Sequence, residues 1–264
     1  MPKFFDTLLL LLLLQGASAQ MPVLRWAKAF QAHNMANPSV YSNGRDVGVD
    51  AQGNVYSVGY FNNTIDMDPG TGVYDMTGGA LENYGIYISK LDANGNFVWA
   101  KQILTLVEFG EIALKVDRDG NVYVASKLMN PADMDPGPGV LMMKPTGYQD
   151  AFVIKLNTNG DLVWVKQFGG PGDTGAESTI LEVDKDNNVI LCGLFNNTID
   201  FDPGPGTFNI TSTAHIQAFI VKLNSNGDLI WAKQFGNSPV VYSGSDIIDV
   251  RCDGQGNIFT CGHF

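Results

Sequence analysis

The chain has little of what usually carries catalysis or crosslinking. It holds three histidines and three cysteines among 264 residues. His33, His215 and His263 fall at no common interval, and no Ser-His-Asp set or His-x-x-x-His pair emerges. The residues therefore argue for no catalytic triad or zinc centre. An odd cysteine number excludes complete internal pairing. Cys192 and Cys261 lie in "VILCGLF" and "IFTCGHF", at places where other units carry Val58 and Ala125; Cys252 stands where others carry Val49, Val116 and Val183. All three are expected to be buried small hydrophobes, not a disulfide framework. Charge is also sparse, at 16% of residues, and leans acidic, with a net charge of −11. Phosphates would be repelled, so nucleic acid is not an expected partner.

Long apolar runs are missing too, save one. Lys3, the run Leu8 to Leu14 and Ala17-Ser18-Ala19 read as a secretory signal peptide, 1–19. The run is too short to span a bilayer as a helix, and no later stretch is apolar enough to do so. This predicts an exported protein, extracellular or at the cell surface, with the periplasm as the other location, and a single mature domain, 20–264. No cysteine follows the cleavage site, which argues against a bacterial lipid anchor.

What the chain does have is a repeat. "FNNTIDMDPG" starts at Phe61 and "FNNTIDFDPG" at Phe195. Asp50, Asp117 and Asp184 are each 67 residues apart, as are Asp68, Asp135 and Asp202. Trp26, Trp99, Trp164 and Trp231 step by 73, 65 and 67. Inside each unit, turn signatures of the form Asp/Asn-x-x-Gly/Asn recur: "DAQGN", "DRDGN", "DKDNN" and "DGQGN", then "DANGN", "NTNGD" and "NSNGD". Asp or Asn opens such a turn by bonding the backbone ahead of it, and the fourth residue must go left-handed. Asn187 replaces glycine once, and Asn is the next residue to tolerate that conformation.

Between the turns lie Val-, Tyr- and Ile-rich segments such as "NVYSVGYF", "YGIYISKL" and "NFVWAKQI". Each unit of about 67 residues reads as four strands, here termed A to D, with short hairpins A–B and C–D and a long B–C connection. Tandem four-stranded antiparallel units make an all-β propeller. The stretches "VDAQGNVYSVGYFNNTIDMDPG" and "AFVIKLNTNGDLVWVKQFGG" resemble the SBBP-type β-propeller repeat, and the likeness runs from about Val23 to Phe264. The resemblance implies an exported or surface protein of a Gram-negative bacterium, whose relatives often carry a C-terminal sorting domain. It implies no agreed catalytic activity.

The unit count is uneven. "VLRWAKAF" matches strand D alone; three full units follow; "DIIDVRC" and "NIFTCGHF" then match A and B. Two readings follow. The chain is a truncated piece of a longer propeller, which is favoured, or its two ends join in a ring of four that lacks one strand C.

The long connection holds the candidate site: Asp66 and Asp68, Asp133 and Asp135, Asp200 and Asp202, each pair followed by Pro-Gly. Asp-Pro-Gly is a turn in its own right. The first aspartate of each pair is not explained by that turn. Alternation along a strand puts both carboxylates on one side, and two hard oxygen donors with loop carbonyls make a candidate Ca²⁺ site. The competing reading is a turn with capping carboxylates. The function expected is a non-enzymatic module for binding or display, with a protein or glycan ligand and with the rest of the propeller or a second copy as a further partner. The alternatives are a secreted carbohydrate-active enzyme on a propeller scaffold and a structural spacer.

Overall fold

The computed structural model describes residues 24–32, 42–78, 84–104, 112–213, 216–235 and 246–263. The expected leader, His33 and His215 lie outside them, as does the side chain of His263. Within them every regular element is a strand. A short β1 (Gln31–Ala32) precedes the first blade. That blade runs β2 (Ser42–Val49), β3 (Val55–Phe61), a small hairpin of β4 (Thr64–Asp66) and β5 (Asp75–Thr77), then β6 (Gly85–Leu91) and β7 (Phe97–Leu104). The second runs β8 (Ala113–Val116), β9 (Val122–Leu128), hairpin β10 (Ala132–Asp133) and β11 (Met142–Met143), then β12 (Gly147–Leu156) and β13 (Leu162–Phe168). The third runs β14 (Gly172–Val183), β15 (Val189–Phe195), hairpin β16 (Thr198–Asp200) and β17 (Asn209–Thr211), then β18 (Gln217–Leu223) and β19 (Leu229–Phe235). Strands β20 (Asp246–Cys252) and β21 (Ile258–His263) follow as an antiparallel pair.

Each blade is antiparallel in the order A-B-C-D, as β2-β3-β6-β7 shows. One pairing was not expected. The start of β14 reaches back to pair in parallel with β12, through Gly147–Gly172 and Gln149–Gly175, and joins the second and third blades into one eight-stranded sheet.

All seven turns take the predicted form. Six glycines at the fourth position have φ between 79° and 87°, and Asn187 sits at 61°. The opening residue does more than start the turn. Asp117 Oδ1 accepts from the amides of Asp119 (3.0 Å) and Asn121 (2.9 Å), and Asp117 Oδ2 accepts from Asn121 Nδ2 at 2.8 Å. The first and fifth residues thus form an acid–amide pair. The pair is reversed in the C–D turns of the second and third blades, where Asn157 Nδ2 donates to Asp161 and Asn224 Nδ2 to Asp228.

Blades pack face to face through apolar cores. Tyr56, Val58, Ile86, Ile88 and Trp99 of the first blade meet Leu114, Val122, Val124, Phe152 and Ile154 of the second. Tyr123, Ala125 and Val153 meet Leu181, Leu191, Phe195 and Phe219 in the next interface. Each fully buried side chain of this size contributes roughly 1.5–3 kcal/mol. A directed contact accompanies each core. Trp99 Nε1 donates to the Thr158 carbonyl (3.0 Å) and Trp164 Nε1 to the Ser225 carbonyl (3.1 Å), in each case across to the C–D turn of the following blade.

The N-terminal segment copies this. Trp26 Nε1 donates to the Ala93 carbonyl at 3.0 Å. Gln31 then pairs with Asp66 as Gly169 pairs with Asp200 two interfaces later. Leu24 to Phe30 is nevertheless not a strand. It makes the contacts of a strand D toward the next blade, but no described strand C lies beside it to supply ladder bonds.

The cysteine expectation holds only for Cys192. Cys252 is half-buried and Cys261 exposed, and all three are free. Among the described residues no blade packs on the face of β21 that carries Cys261.

Gly160 combines φ +80° with Lys101 Cε and Trp99 Cδ2 at 2.8 and 3.2 Å from where a Cβ would stand. Gly160→Ala is expected to cost about 1–2 kcal/mol in urea unfolding. Gly254→Ala, at an ordinary φ and with open space around it, is expected to change stability by less than about 0.5 kcal/mol. Equal losses would refute the left-handed turn requirement.

Candidate functional site

The duplicated loop is a tight hairpin. Asn63 and Asn197 turn left-handed, at φ 56° and 54°, and their carbonyls accept from Gly78 and Ser212 at 2.7 Å. Beyond them the chain alternates. Ile65 and Met67 point inward, as do Met134 and Ile199 with Phe201, and all are buried. Their neighbours are the paired aspartates.

The first aspartate of each pair caps two amides of its own loop, one of them eight residues on. Asp66 Oδ1 accepts from the amides of Asp68 and Tyr74, both at 2.9 Å. Asp133 Oδ1 does so for Asp135 (3.1 Å) and Leu141 (2.8 Å), and Asp200 Oδ1 for Asp202 (3.0 Å) and Phe208 (2.8 Å). The second aspartate accepts from the glycine two residues on: Asp68 from Gly70 (2.7 Å), Asp135 from Gly137 and Asp202 from Gly204 (both 2.8 Å). Its other oxygen lies against Gly72, Gly139 or Gly206, where a Cβ would collide with it.

These contacts bear on the calcium reading. Ca²⁺ takes about six to eight oxygens. Each pair brings two carboxylates with one oxygen apiece already committed to loop amides. Among the described residues no group of three or more His, Cys, Asp or Glu side chains gathers around one centre. The six aspartates stay on three separate hairpins, one pair to each blade.

Each hairpin also carries exposed apolar residues at fixed register. Val73 and Tyr74, Val140, Leu141 and Met142, and Phe208 are all exposed. Tyr74, Leu141 and Phe208 are spaced by 67. Each lends its backbone amide to the first aspartate of its loop, so one carboxylate fixes the position of one exposed apolar side chain. Tyr74 is further held by its hydroxyl, which donates to the Ala100 carbonyl at 3.3 Å, and by Phe97, whose ring centroid lies 4.8 Å away. Between the first and second hairpins lies a groove of about 390 Å³, walled by Tyr74 to Thr77 and Pro136 to Pro138 and floored by Ala100 to Gln102 on the edge strand β7. The sequence reading passed over the exposed residues. Alignment of the units at their 67-residue period carries the signal, because an apolar residue recurs six places after the second aspartate.

The turn carboxylates are pulled in opposite directions by burial and by their partners. Burial alone would raise the Asp184 carboxyl, but the Lys222 ammonium at 2.8 Å and the Asn188 and Asp186 donors outweigh it, and its pKa is lowered. Asp50 is lowered in the same way, with Asn54, Tyr56 and Gln52 opposing burial. Lys222 takes this partner because Ile190 replaces the tyrosine of the earlier units. There the matching lysines, Lys90 and Lys155, lie 5.0 Å from the ring centroids of Tyr56 and Tyr123.

A folded pKa below the unfolded one stabilises fully above the ordinary Asp value of about 3.9 and loses that stability as pH falls through the folded value. The thermal midpoint is therefore expected to drop below about pH 4, and Asp184→Asn, measured at pH 7, to cost about 3 kcal/mol by stranding Lys222. An unchanged acid limb in that variant would count against the assignment. Asp133→Ala should cost about 1–3 kcal/mol by leaving two amides without an acceptor, seen as a lower urea midpoint.

No family model matches the chain. An uncharacterized WD repeat-containing protein of Acanthamoeba polyphaga mimivirus is 22% identical over 247 residues, which cover 84% of this chain and 17% of that protein. The chain thus spans about a sixth of the length of the curated relative it matches. That distant likeness is to a repeat protein of propeller type, in keeping with the four-stranded blades.

Proposed function

We propose that this chain is an exported, non-enzymatic propeller module of the SBBP type that binds a protein partner at the cell surface. The observation that carries the proposal is the row of Tyr74, Leu141 and Phe208, exposed at the same register on three successive hairpins. A rigid scaffold with loops at regular spacing suits recognition. Exposed aromatic and aliphatic side chains in a row suit a protein surface. Glycan recognition would draw on the polar groove beside Tyr74, and the apolar row favours protein over glycan. The likeness to a WD repeat-containing protein supports a repeat scaffold. Export rests on the leader at residues 1–19. In this reading the aspartate pairs serve the rim by holding its hairpins, with calcium as the competing role.

Panning a displayed peptide library and probing a glycan array with the chain separates the ligand classes. Peptide binders are expected, weakened at least about tenfold by Tyr74→Ser, Leu141→Ser and Phe208→Ser together. Glycan hits indifferent to those changes, or release of reducing sugar from a polysaccharide, would overturn the proposal. Millimolar Ca²⁺ is expected to move the thermal midpoint by less than about 1 °C. A rise of several degrees, lost in Asp133→Asn with Asp135→Asn, would make the aspartates metal ligands.

A further inference from the structure

The floor of the groove beside Tyr74 is the edge of a sheet. The first blade runs β2-β3-β6-β7, and among the described residues no strand pairs with the outer side of β7. A residue in an antiparallel strand turns its N–H and its C=O to the same side, and that side alternates along the chain. The Ala100 carbonyl accepts from the Tyr74 hydroxyl, away from the ladder with β6, which puts Ala100 and Gln102 in the outward set and Lys101 between them in the inward one. A bulge at Val98, which is skipped in the register with β6, ends the regular edge on one side. The same kind of edge already takes a strand elsewhere in the chain. Gly169 lies two residues past Gln167, the counterpart of Gln102, and so falls in the outward set of the second blade. It forms an antiparallel bridge with Asp200 of the third hairpin, whose N–H donates to its carbonyl at 3.3 Å. Gln31 and Ala32 pair antiparallel with Asp66 and Ile65 of the first hairpin in the same way.

We propose that the protein partner enters this groove as a short extended segment, which adds to the outer edge of β7 at Ala100 and Gln102 and sets a lysine or arginine against Asp75. The inference rests on the reading of the chain as a module that binds a protein, and it names the form in which that protein is held. Main-chain bonds to the edge strand supply affinity, and the walls select side chains. Pro136 and Pro138 of the second hairpin have no N–H, so at those positions the wall does not compete with β7 for the segment's carbonyls. The volume, about 390 Å³, is that of a ligand cleft. Charge decides the side chain. Residues 64–77, 100–102 and 132–144 together hold five aspartates against two lysines, and Asp75 stands exposed in the groove wall. A segment with a cation is drawn to that field, and an acidic one is repelled.

A peptide recovered by panning on the full chain, then synthesised with a single N-methyl group at each position in turn, tests this. N-methylation removes one N–H and leaves every side chain in place. The expected result has a period of two: methylation at alternate positions lowers affinity at least about tenfold, and at the positions between them by less than about twofold. On the protein, Gln102→Pro removes an outward N–H, as an edge strand tolerates, and is expected to weaken binding at least about tenfold; Gln102→Ala keeps that N–H and should bind as before. Asp75→Lys, at an exposed position, is expected to weaken the peptide about tenfold, and replacing the peptide's basic residue by glutamine should cause the same loss without adding to it. Near-ultraviolet circular dichroism checks that each variant is folded. Binders that lose affinity with the Tyr74, Leu141 and Phe208 changes but show no period of two, or that lack a basic residue, or that ignore Gln102→Pro and Asp75→Lys, would overturn this inference and leave the protein-binding reading standing. Failure to recover any peptide binder would overturn both.

Discussion

A single four-stranded blade cannot bury both of its faces, and this constraint governs the molecule. Every blade has two apolar faces, so each must find a neighbour on both sides. The tryptophan of strand D meets the need in a directional way. Its ring closes the core of its own blade against Tyr56 or Tyr123, with centroids 6.1 Å apart. Its indole N–H then bonds a carbonyl in the next blade's C–D turn. The turn must be tight and correctly placed for that carbonyl to be in reach, and so the left-handed glycine and the acid–amide pair belong to the same device. The lysine of strand C reaches the same carbonyl from the other side, as Lys90 reaches Thr158 at 3.3 Å.

Function sits on what this core leaves free. The B–C hairpins contribute one buried side to the interfaces, through Met67, Met134 and Phe201, and one exposed side to solvent. Alternation along the hairpin divides the two, and the aspartates stand at the division. Their carboxylates turn loop amides inward and hold the apolar residue that follows them at the surface. The hairpin chemistry is thereby repeated, while the side chain it presents changes from Tyr to Leu to Phe. That division of labour suits a scaffold that keeps its frame while its contact residues vary.

Much of the fold was legible because its determinants are local. The turns follow from Asp or Asn at the first position and Gly or Asn at the fourth, and the strands from Val- and Tyr-rich runs between them. The less local parts were hidden. Asp66 bonds the amide of Tyr74 eight residues on, a partner that only the closed hairpin brings near. Tyr56 and Tyr123 place their hydroxyls 3.0 Å from Asp50 and Asp117, across the strand from the turn. The burial of cysteine depended on whether a neighbouring blade is present, so Cys192 matched its expectation and Cys261 did not. The parallel pairing of β14 with β12 involves Gly172 and Gly175, which carry no pattern to read.

The tryptophan contact is the directed tie between one blade and the next. Hydrogen exchange of the four indole N–H groups, followed by nuclear magnetic resonance, measures it directly. Trp26, Trp99 and Trp164 each have a turn carbonyl within 3.1 Å, whereas Trp231 has no following C–D turn among the described residues. Strong protection at Trp99 and Trp164, protection at Trp26 and fast exchange at Trp231 is the predicted result. Equal exchange at all four would contradict the claim that the indole ties one blade to the next.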